Sequence, residues 1–284
     1  MTAANSPSFT RRVLLDALTA LRDQTTAVTV VGAQAVYLRS DDVRLAVAAF
    51  TSDADVSLDP GALQDVPRLE QAMLEAGFTV GDRGQPGTWL RDERVNGKVV
   101  SIPVDLLVPQ SLTPGRRGGK IPRTATTRPG GSWGLRRPSF DRDLMDVTAL
   151  DSGTDRRGIK ANVAGPAALL IAKAHEIGER AVDRGRPDRL IDKDAGDIAR
   201  LMMADGSGVE EVAARVRRLQ ADPRTVEVTN AGLRYLDELF GSPSAVGLTM
   251  AHRALAEPPG VLPRTLAYID ELKMELTDNW PPRS

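Results

Sequence analysis

The spacing of hydrophobic residues changes part-way along the chain and divides it into two halves. In the first half, short β-branched runs such as Ala27–Val31 indicate strands, whereas leucines at helical spacing in Thr10–Arg22 indicate a helix. From about residue 162 onwards the pattern is helical throughout. We therefore expect an α/β half followed by an all-helical half, with the boundary between residues 150 and 163.

The pattern predicts a definite order of elements. In the first half, helices are predicted over Thr10–Arg22, Ala33–Arg39 and Pro60–Ala76, and strands over Ala27–Val31, Thr51–Leu58 and Leu144–Leu150. Thr88–Val95 and Lys98–Val108 are predicted to form a hairpin, because Asn96-Gly97 between them is the strongest short hairpin signal. In the second half, helices are predicted near residues 165–180, 189–204, 209–220, 229–240, 244–255 and 263–277.

Composition and charge exclude several classes of protein and site. Of the 284 residues, 41% are hydrophobic and 26% charged, as expected for a soluble globular protein. The net charge of -1 gives no overall attraction for nucleic acid, so any basic surface must be local. The absence of cysteine excludes disulfides, thiolate metal sites and a cysteine nucleophile. Without an apolar signal region or a run long enough to span a bilayer, we expect a cytoplasmic protein with no membrane contact.

Three aspartates in the first half are the strongest candidates for chemistry. Asp53 and Asp55 are two residues apart on a predicted strand, so their side chains should point to the same face. Asp105 lies within the apolar strand Lys98–Val108, where a charge without a partner would be costly. Three carboxylates on one face could hold a pair of magnesium ions, which prefer carboxylate and phosphate oxygens. A solvated strand face is the alternative interpretation of the Asp-x-Asp pair.

A glycine between a strand and a helix is a candidate phosphate contact. Gly32 follows Ala27–Val31 and precedes Ala33–Arg39. The N-terminus of a helix presents unpaired N–H groups and a positive dipole end to an anion. Glycine also allows the backbone to approach a ligand closely. A tight strand-to-helix turn with no ligand would explain the same glycine.

The order of these motifs resembles the DNA-polymerase-β-like nucleotidyltransferase superfamily. The likeness rests on Gly32 between strand and helix, then Asp53-Ala-Asp55, then Asp105 on a later strand. It implies an α+β protein, with a mixed β-sheet flanked by helices over residues 1–160 and a helical domain over 161–284. It also implies that Asp53, Asp55 and Asp105 bind magnesium, and that nucleoside monophosphate passes from a triphosphate (NTP) to a hydroxyl while pyrophosphate leaves. Ala33 stands where the family usually has Gly or Ser, and we expect Ala33 and Ser52 to bind the nucleotide together with Gly32.

The helical half carries a second, more specific resemblance. Ala167–Arg180, which contains Lys173, and the following Asp192-Lys-Asp194-Ala-Gly-Asp197 are similar to the AbiEii/MenT-like nucleotidyltransferases. These are toxins of type IV toxin–antitoxin and phage-abortive-infection systems. The resemblance implies that Lys173 and Arg180, on one helix face, contact the nucleotide, and that Asp194 is a catalytic or supporting carboxylate. A solvated helix face with ion pairs would explain the same residues.

A basic segment is the candidate acceptor site. Pro114–Ser139 contains seven Lys or Arg residues and no acidic residue, and it includes Trp133. Such a segment could follow a phosphate backbone and stack on a base, although a surface loop would have the same composition. Known family members modify the 3′ end of tRNA, so the resemblance implies an RNA acceptor and a cognate antitoxin protein. A small-molecule acceptor, as in aminoglycoside-modifying nucleotidyltransferases, and a catalytically worn nucleotide-binding partner subunit remain alternatives.

Overall fold

The chain folds as an α+β protein with a mixed β-sheet, flanking helices and a C-terminal helical region. The computed structural model describes residues 7–41, 43, 51–81, 87–108, 128–129, 141–182, 190–256 and 260–282. Contacts between Cα atoms divide the chain into two compact units, which we call the sheet unit and the helical unit. The predicted fold class is therefore confirmed.

The sheet unit contains the strands and the helices of the first half. Its described elements are α1 (Pro7–Ala20), β1 (Val28–Val31), β2 (Ala54–Leu58), α3 (Leu69–Glu75), β3 (Thr79–Val80), β4 (Thr88–Val95), β5 (Lys98–Val108), β6 (Arg128–Pro129), β7 (Arg142–Thr148) and β8 (Gly158–Ala164). Helix α2 (Gly32–Arg39) follows β1 directly, and its residues up to Ala35 belong to this unit.

The sheet is mixed, and β2 lies near its centre. The strand order is β3-β4-β5-β2-β1-β8-β7, with β6 beside β5. The pairs β2–β5, β1–β8 and β5–β6 are parallel, and the other neighbours are antiparallel. Val30, Val56 and Leu106 are registered neighbours on three adjacent strands and are all buried. Burial of this apolar row is the main favourable contribution that holds the centre of the sheet together.

The hairpin is confirmed to the residue, but the helix predicted over Pro60–Ala76 is wrong in its first half. Helix α3 begins only at Leu69. A proline disfavours helical backbone angles at the residue before it. Pro67 therefore disfavours a helical conformation at Val66. The Gln24 side chain also binds this stretch, with its amide nitrogen 3.1 Å from Gln64 O and 3.0 Å from Pro67 O. Tertiary hydrogen bonds thus replace those of a helix.

Strand β8 was not predicted, because its segment was interpreted as the link between the two halves. It pairs in parallel with β1 and antiparallel with β7, and Ala161 and Val163 are buried while Lys160 and Asn162 are not. Buried and exposed residues alternate as in a half-buried strand, but the polar residues Lys160 and Asn162 make the apolar pattern too weak to predict a strand from the sequence. The predicted domain boundary after residue 160 falls within this strand.

The helical unit contains the helices predicted for the second half, each within about one turn of its expected ends. They are α4 (Pro166–Val182), α5 (Asp192–Met203), α6 (Val209–Ala221), α7 (Val226–Phe240), α8 (Val246–Ala254) and α9 (Val261–Glu275). Helix α4 packs against α5 and α7, and α5 packs against α8. Asp141 and the second half of α2 also belong to this unit. None of the helices in the described ranges is long and apolar enough to cross a membrane.

Candidate functional site

Two of the predicted aspartates are direct neighbours in the sheet. Asp55 on β2 and Asp105 on β5 are registered partners in a parallel pair. Registered side chains lie on the same face, and neighbouring strands are about 4.8 Å apart. The next pair along, Val56 and Leu106, is buried on the opposite face, whereas both aspartates are half-buried. The sheet therefore presents two carboxylates side by side.

Gly32 lies against the Asp55 carboxylate at the start of α2. Val31, the last residue of β1, is the registered partner of Asp55, and Gly32 follows with a left-handed φ of 63°. A Cβ atom added to Gly32 would lie 2.1 Å from Asp55 Oδ2. The carboxylate thus occupies the space beside the positive end of the α2 dipole, where a negative charge is stabilised.

Asp53 is held by a hydroxyl rather than by strand geometry. Strand β2 begins at Ala54, not at Thr51 as predicted, so the alternation of a strand does not fix the direction of Asp53. Instead, Thr51 Oγ1 donates a hydrogen bond to Asp53 Oδ1 at 2.6 Å. The Thr51 carbonyl in turn accepts a 3.0 Å hydrogen bond from Thr10 Oγ1 on α1, and Thr10 is buried. The position of Asp53 therefore depends on α1.

A second threonine contacts Asp105. Thr88 on β4 is the registered antiparallel partner of Asp105, and its Oγ1 donates to Asp105 Oδ1 at 2.5 Å. Sequence analysis did not identify Thr88. A signal for it was present, because the two-residue turn at Asn96-Gly97 fixes the register of the whole hairpin.

The carboxylates fit magnesium by donor chemistry and by register. Proteins usually bind this ion through one or two carboxylates, with substrate phosphates and waters completing the octahedron. Asp55 and Asp105 supply such a pair. Among the residues that the structure describes, no group of three or more His, Asp or Glu side chains is arranged to hold a metal ion.

Two further residues of the sheet unit predicted to bind nucleotide are Ala33 and Ser52. Ala33 is buried in the first turn of α2. Ser52 is exposed and immediately precedes Asp53. The sheet unit therefore brings Gly32, Asp55 and Asp105 together, with Ala33 next to Gly32 in the chain and Ser52 next to Asp53.

The helical unit brings the other predicted residues together in one ion-pair cluster. Lys173 Nζ on α4 lies 3.1 Å from Glu176 Oε2, 3.0 Å from Asp194 Oδ1 and 3.5 Å from Asp197 Oδ2. Arg180 Nη1 lies 2.7 Å from Asp194 Oδ2. Asp194 therefore contacts both cations.

The electrostatics of this cluster favour the charged forms. Burial by itself would lower the pKa of Lys173, but the carboxylates of Glu176, Asp197 and Asp194 hold that pKa well above its usual value. Burial would likewise raise the pKa of Asp194, yet Lys173 and Arg180 keep it below its usual range. An ammonium has three N–H donors, and each of the three donors of Lys173 has a carboxylate within reach. The Lys173 ammonium is therefore fully paired with carboxylates of the helical unit.

Arg180 is the better placed cation for an external anion. Its side chain is 27% exposed, against 9% for Lys173.

His175 is buried on α4, with its Nε2 2.9 Å from the Val228 carbonyl and its ring edge-on to Tyr235. Such a packed imidazole is not placed to act as a base.

The helical unit also has an open, acidic cavity. Its volume is about 490 Å³, and four of its lining residues are Asp205, Glu210, Glu211 and Glu271. A lining of this charge attracts cations rather than phosphates.

The predicted basic segment Pro114–Ser139 lies outside the described residues, except for residues 128–129.

No protein-family model matches this chain, and no curated protein matches it either.

Proposed function

We propose that the chain is a magnesium-dependent nucleotidyltransferase that transfers a nucleoside monophosphate from an NTP to an acceptor hydroxyl. The observation that carries this proposal is the direct pairing of Asp55 with Asp105 on neighbouring parallel strands, beside Gly32 at the start of α2. Two adjacent carboxylates next to a helix N-terminus combine cation ligands with a phosphate-binding element. The resemblance to nucleotidyltransferases implies that such a site transfers a nucleoside monophosphate.

In the proposed reaction the acceptor oxygen bonds to the α-phosphorus of the NTP. The bond from the α-phosphorus to the bridging oxygen breaks, and pyrophosphate leaves. Magnesium, when bound, neutralises the charge of the phosphates. Asp55 and Asp105 would hold the cation, and the resemblance assigns Asp53 to it as well; the Asp105 carboxylate would also accept the proton of the acceptor hydroxyl. The resemblance assigns Gly32, Ala33 and Ser52 to the triphosphate.

The resemblance assigns two cations of the helical unit, Lys173 and Arg180, to the triphosphate. Arg180 is the more exposed of the two and therefore the better suited to bind an anion. Lys173 reaches a phosphate only if it releases one of its three carboxylates. Asp194 then acts as the residue that orients Lys173 and Arg180.

The proposed acceptor is the 3′ end of an RNA, with tRNA as the first choice, and the proposed role is that of a toxin with a cognate antitoxin protein in the cytoplasm. Both follow from the AbiEii/MenT-like motifs around Lys173 and Asp194. The basic segment at Pro114–Ser139 supports an RNA acceptor through its charge.

The test is incubation of the purified chain with each labelled NTP, total RNA and magnesium. We expect one NTP to label RNA, with the label lost when EDTA is added. Asp105→Asn should lower the rate by at least about 100-fold, as expected when a group that stabilises the transition state is removed. Asp92→Asn is the matched control, because Asp92 lies on the same hairpin and also accepts a hydroxyl hydrogen bond, from Ser101.

Two outcomes would contradict the proposal. Absence of label from every NTP would exclude transfer to RNA. Equal loss of activity in Asp105→Asn and Asp92→Asn would show that the hairpin, rather than the Asp55–Asp105 pair, is needed.

The acidic cavity favours a second candidate, a transferase with a cationic small-molecule acceptor. The carboxylates of Asp205, Glu210 and Glu271 would attract an aminoglycoside-like polycation. An assay with kanamycin in place of RNA tests this candidate, and labelled kanamycin without labelled RNA would favour it. Binding of labelled NTP with no transfer to either acceptor would instead support a nucleotide-binding partner subunit.

A further inference from the structure

Thr88 is the described residue whose contact with the proposed site is hardest to explain as packing alone. It is buried, with 6% of its surface exposed, and its Oγ1 donates to the half-buried Asp105 carboxylate, 2.5 Å from Oδ1. A buried hydroxyl needs a hydrogen-bond partner, but a backbone carbonyl would satisfy it equally well. Here the partner is a carboxylate that itself faces a second carboxylate, Asp55, on the next strand.

The surroundings of Thr88 fix the direction of its hydroxyl. Gly81 N donates a 2.8 Å hydrogen bond to the Thr88 carbonyl. A Cβ atom on Gly81 would lie 3.2 Å from Thr88 Cβ and 3.3 Å from its methyl carbon, so the glycine backbone lies close against that methyl group. A β-branched side chain has few χ1 rotamers. With the methyl group held against Gly81, Oγ1 is directed to Asp105.

We infer that Thr88 is a positioning residue that sets the rotation of the Asp105 carboxylate, an inference that rests on the proposed function. The hydrogen bond holds the carboxylate plane through Oδ1, and the terminal torsion of an aspartate about the Cβ–Cγ bond has no narrow preference of its own. A fixed plane keeps Asp105 aimed at the cation and the acceptor hydroxyl. Thr51 makes the corresponding contact with Asp53.

The same hairpin contains a matched pair away from the proposed site. Asp92 on β4 and Ser101 on β5 are also registered partners, and the Ser101 hydroxyl donates to Asp92 Oδ1. This pair is exposed, and it lies four residues along each strand from Thr88 and Asp105. Removing the Ser101 hydroxyl thus tests the cost of losing such a bond where no chemistry is proposed.

The experiment compares three variants of the full chain by crystallography and by kinetics. Thr88→Val removes the hydroxyl at nearly constant shape, Thr88→Ser keeps it, and Ser101→Ala removes the matched one. In crystals of Thr88→Val we expect the Asp105 carboxylate to turn by more than about 30°, because the terminal torsion of an aspartate is broad. In Thr88→Ser and Ser101→Ala it should keep its orientation.

The kinetic readout separates positioning from binding. Thr88→Val should lower kcat by about 10- to 100-fold, because small misplacements of a reacting group have effects of this size. The KM for NTP should change by less than about twofold, since the loss concerns the transition state only. Thr88→Ser should restore kcat, and Ser101→Ala should retain it.

An Asp105 carboxylate that keeps its orientation in Thr88→Val would overturn the inference, as would equal kcat values for Thr88→Val and the wild type. Failure of the proposed function is distinguishable, because wild-type protein would then transfer no nucleotide while the crystal structures still report whether Asp105 turns. Should Thr88→Val fail to fold, Thr88→Ala removes the hydroxyl without placing a methyl group beside the Asp105 carboxylate.

Discussion

Gly32 and Asp55 share a space that leaves no room for any side chain on Gly32. A Cβ at this position would lie 2.1 Å from Asp55 Oδ2 and 2.9 Å from its Cγ. The φ angle of 63° adds a second reason for glycine, because other L residues are strained there. The glycine is thus needed both for the turn from β1 into α2 and for the place of the carboxylate.

Gly32→Ala should lower the free energy of unfolding by more than the conformational cost alone. The left-handed backbone costs about 1–2 kcal/mol for a residue with a Cβ, and displacement of the Asp55 carboxylate adds to it. We expect a total of about 3 kcal/mol, from the backbone cost together with overpacking. Urea denaturation followed by circular dichroism measures it.

Gly97→Ala is the control for the backbone cost. Gly97 has a similar φ of 78° in the β4–β5 turn, but nothing lies within 4 Å of its added Cβ. The difference between the two alanine variants therefore reports the displacement of Asp55. Equal losses of stability would show that the Asp55 carboxylate moves aside freely.

How much of this site follows from the sequence depends on which contacts are local. The turn at Asn96-Gly97 pairs Val95 with Lys98, and counting back along both strands places Thr88 opposite Asp105. This contact was therefore predictable in principle. The pairing of Asp55 with Asp105 was not, because a parallel pair is joined by a long connection that leaves its register open.

The two errors in the predicted elements, the helix over Pro60–Ala76 and the missing strand β8, both come from tertiary contacts that the local pattern does not contain. The segment before α3 has helical spacing of its apolar residues, but its backbone is bound by Gln24, a residue 40 positions away from Gln64. Strand β8 is recognisable through its pairing with β1 and β7, since Lys160 and Asn162 interrupt its apolar pattern. In both cases tertiary contacts outweigh the local preference.

Removal of the Lys173 ammonium should destabilise the helical unit strongly. Lys173→Met keeps the length of the side chain but leaves Asp194, Asp197 and Glu176 without their shared cation. Breaking a buried ion pair on one side costs about 3–5 kcal/mol. Urea denaturation of the variant and of the wild type measures this cost.

Lys160→Met is the control for an exposed ion pair. Lys160 Nζ lies 2.9 Å from Asp146, but both side chains are more than 60% exposed. Exposed pairs contribute about 0–1 kcal/mol, so this variant should resemble the wild type. A Lys173→Met variant as stable as Lys160→Met would show that the carboxylates around Lys173 find other partners.

The same cluster predicts how stability depends on pH. Although burial opposes it, the neighbouring cations keep the pKa of Asp194 below its ordinary value. A carboxylate with a lowered folded pKa stabilises the fold above its unfolded pKa of about 3.9, and this contribution is lost as pH falls through the folded value. The stability difference between wild type and Asp194→Asn should therefore be constant from about pH 5 to 9 and shrink below about pH 4.

Lys173 sets the upper pH limit of the range in which the ion-pair cluster stabilises the fold. Its raised pKa means that its contribution is complete below the ordinary lysine value of about 10.4 and is lost only at higher pH. Unfolding curves of both proteins at pH 3, 5, 7 and 9 test the prediction. A difference that grows as the solution is acidified would contradict the assigned direction of the Asp194 shift.

Asp141 should be as important for stability as a residue of the core, although it lies far from α4 in the sequence. Its Oδ2 accepts the backbone N–H of Ala168 in the first turn of α4 at 2.7 Å, and its Oδ1 accepts from Arg215 on α6 at 2.7 Å. Loss of a cap costs about 1 kcal/mol, and Arg215 would also lose its buried partner. We expect Asp141→Ala to lower the free energy of unfolding by about 2–4 kcal/mol.

Asp151→Ala provides the comparison, because Asp151 accepts similar hydrogen bonds from Gly153 and Thr154 in an exposed turn. An exposed turn residue changes stability by less than about 0.5 kcal/mol in most proteins. Amide hydrogen exchange locates the effect, since the first turn of α4 should lose protection in Asp141→Ala and keep it in Asp151→Ala. Unchanged protection at Ala168 would mean that the helix start is held by packing, and that the Asp141 carboxylate serves Arg215 alone.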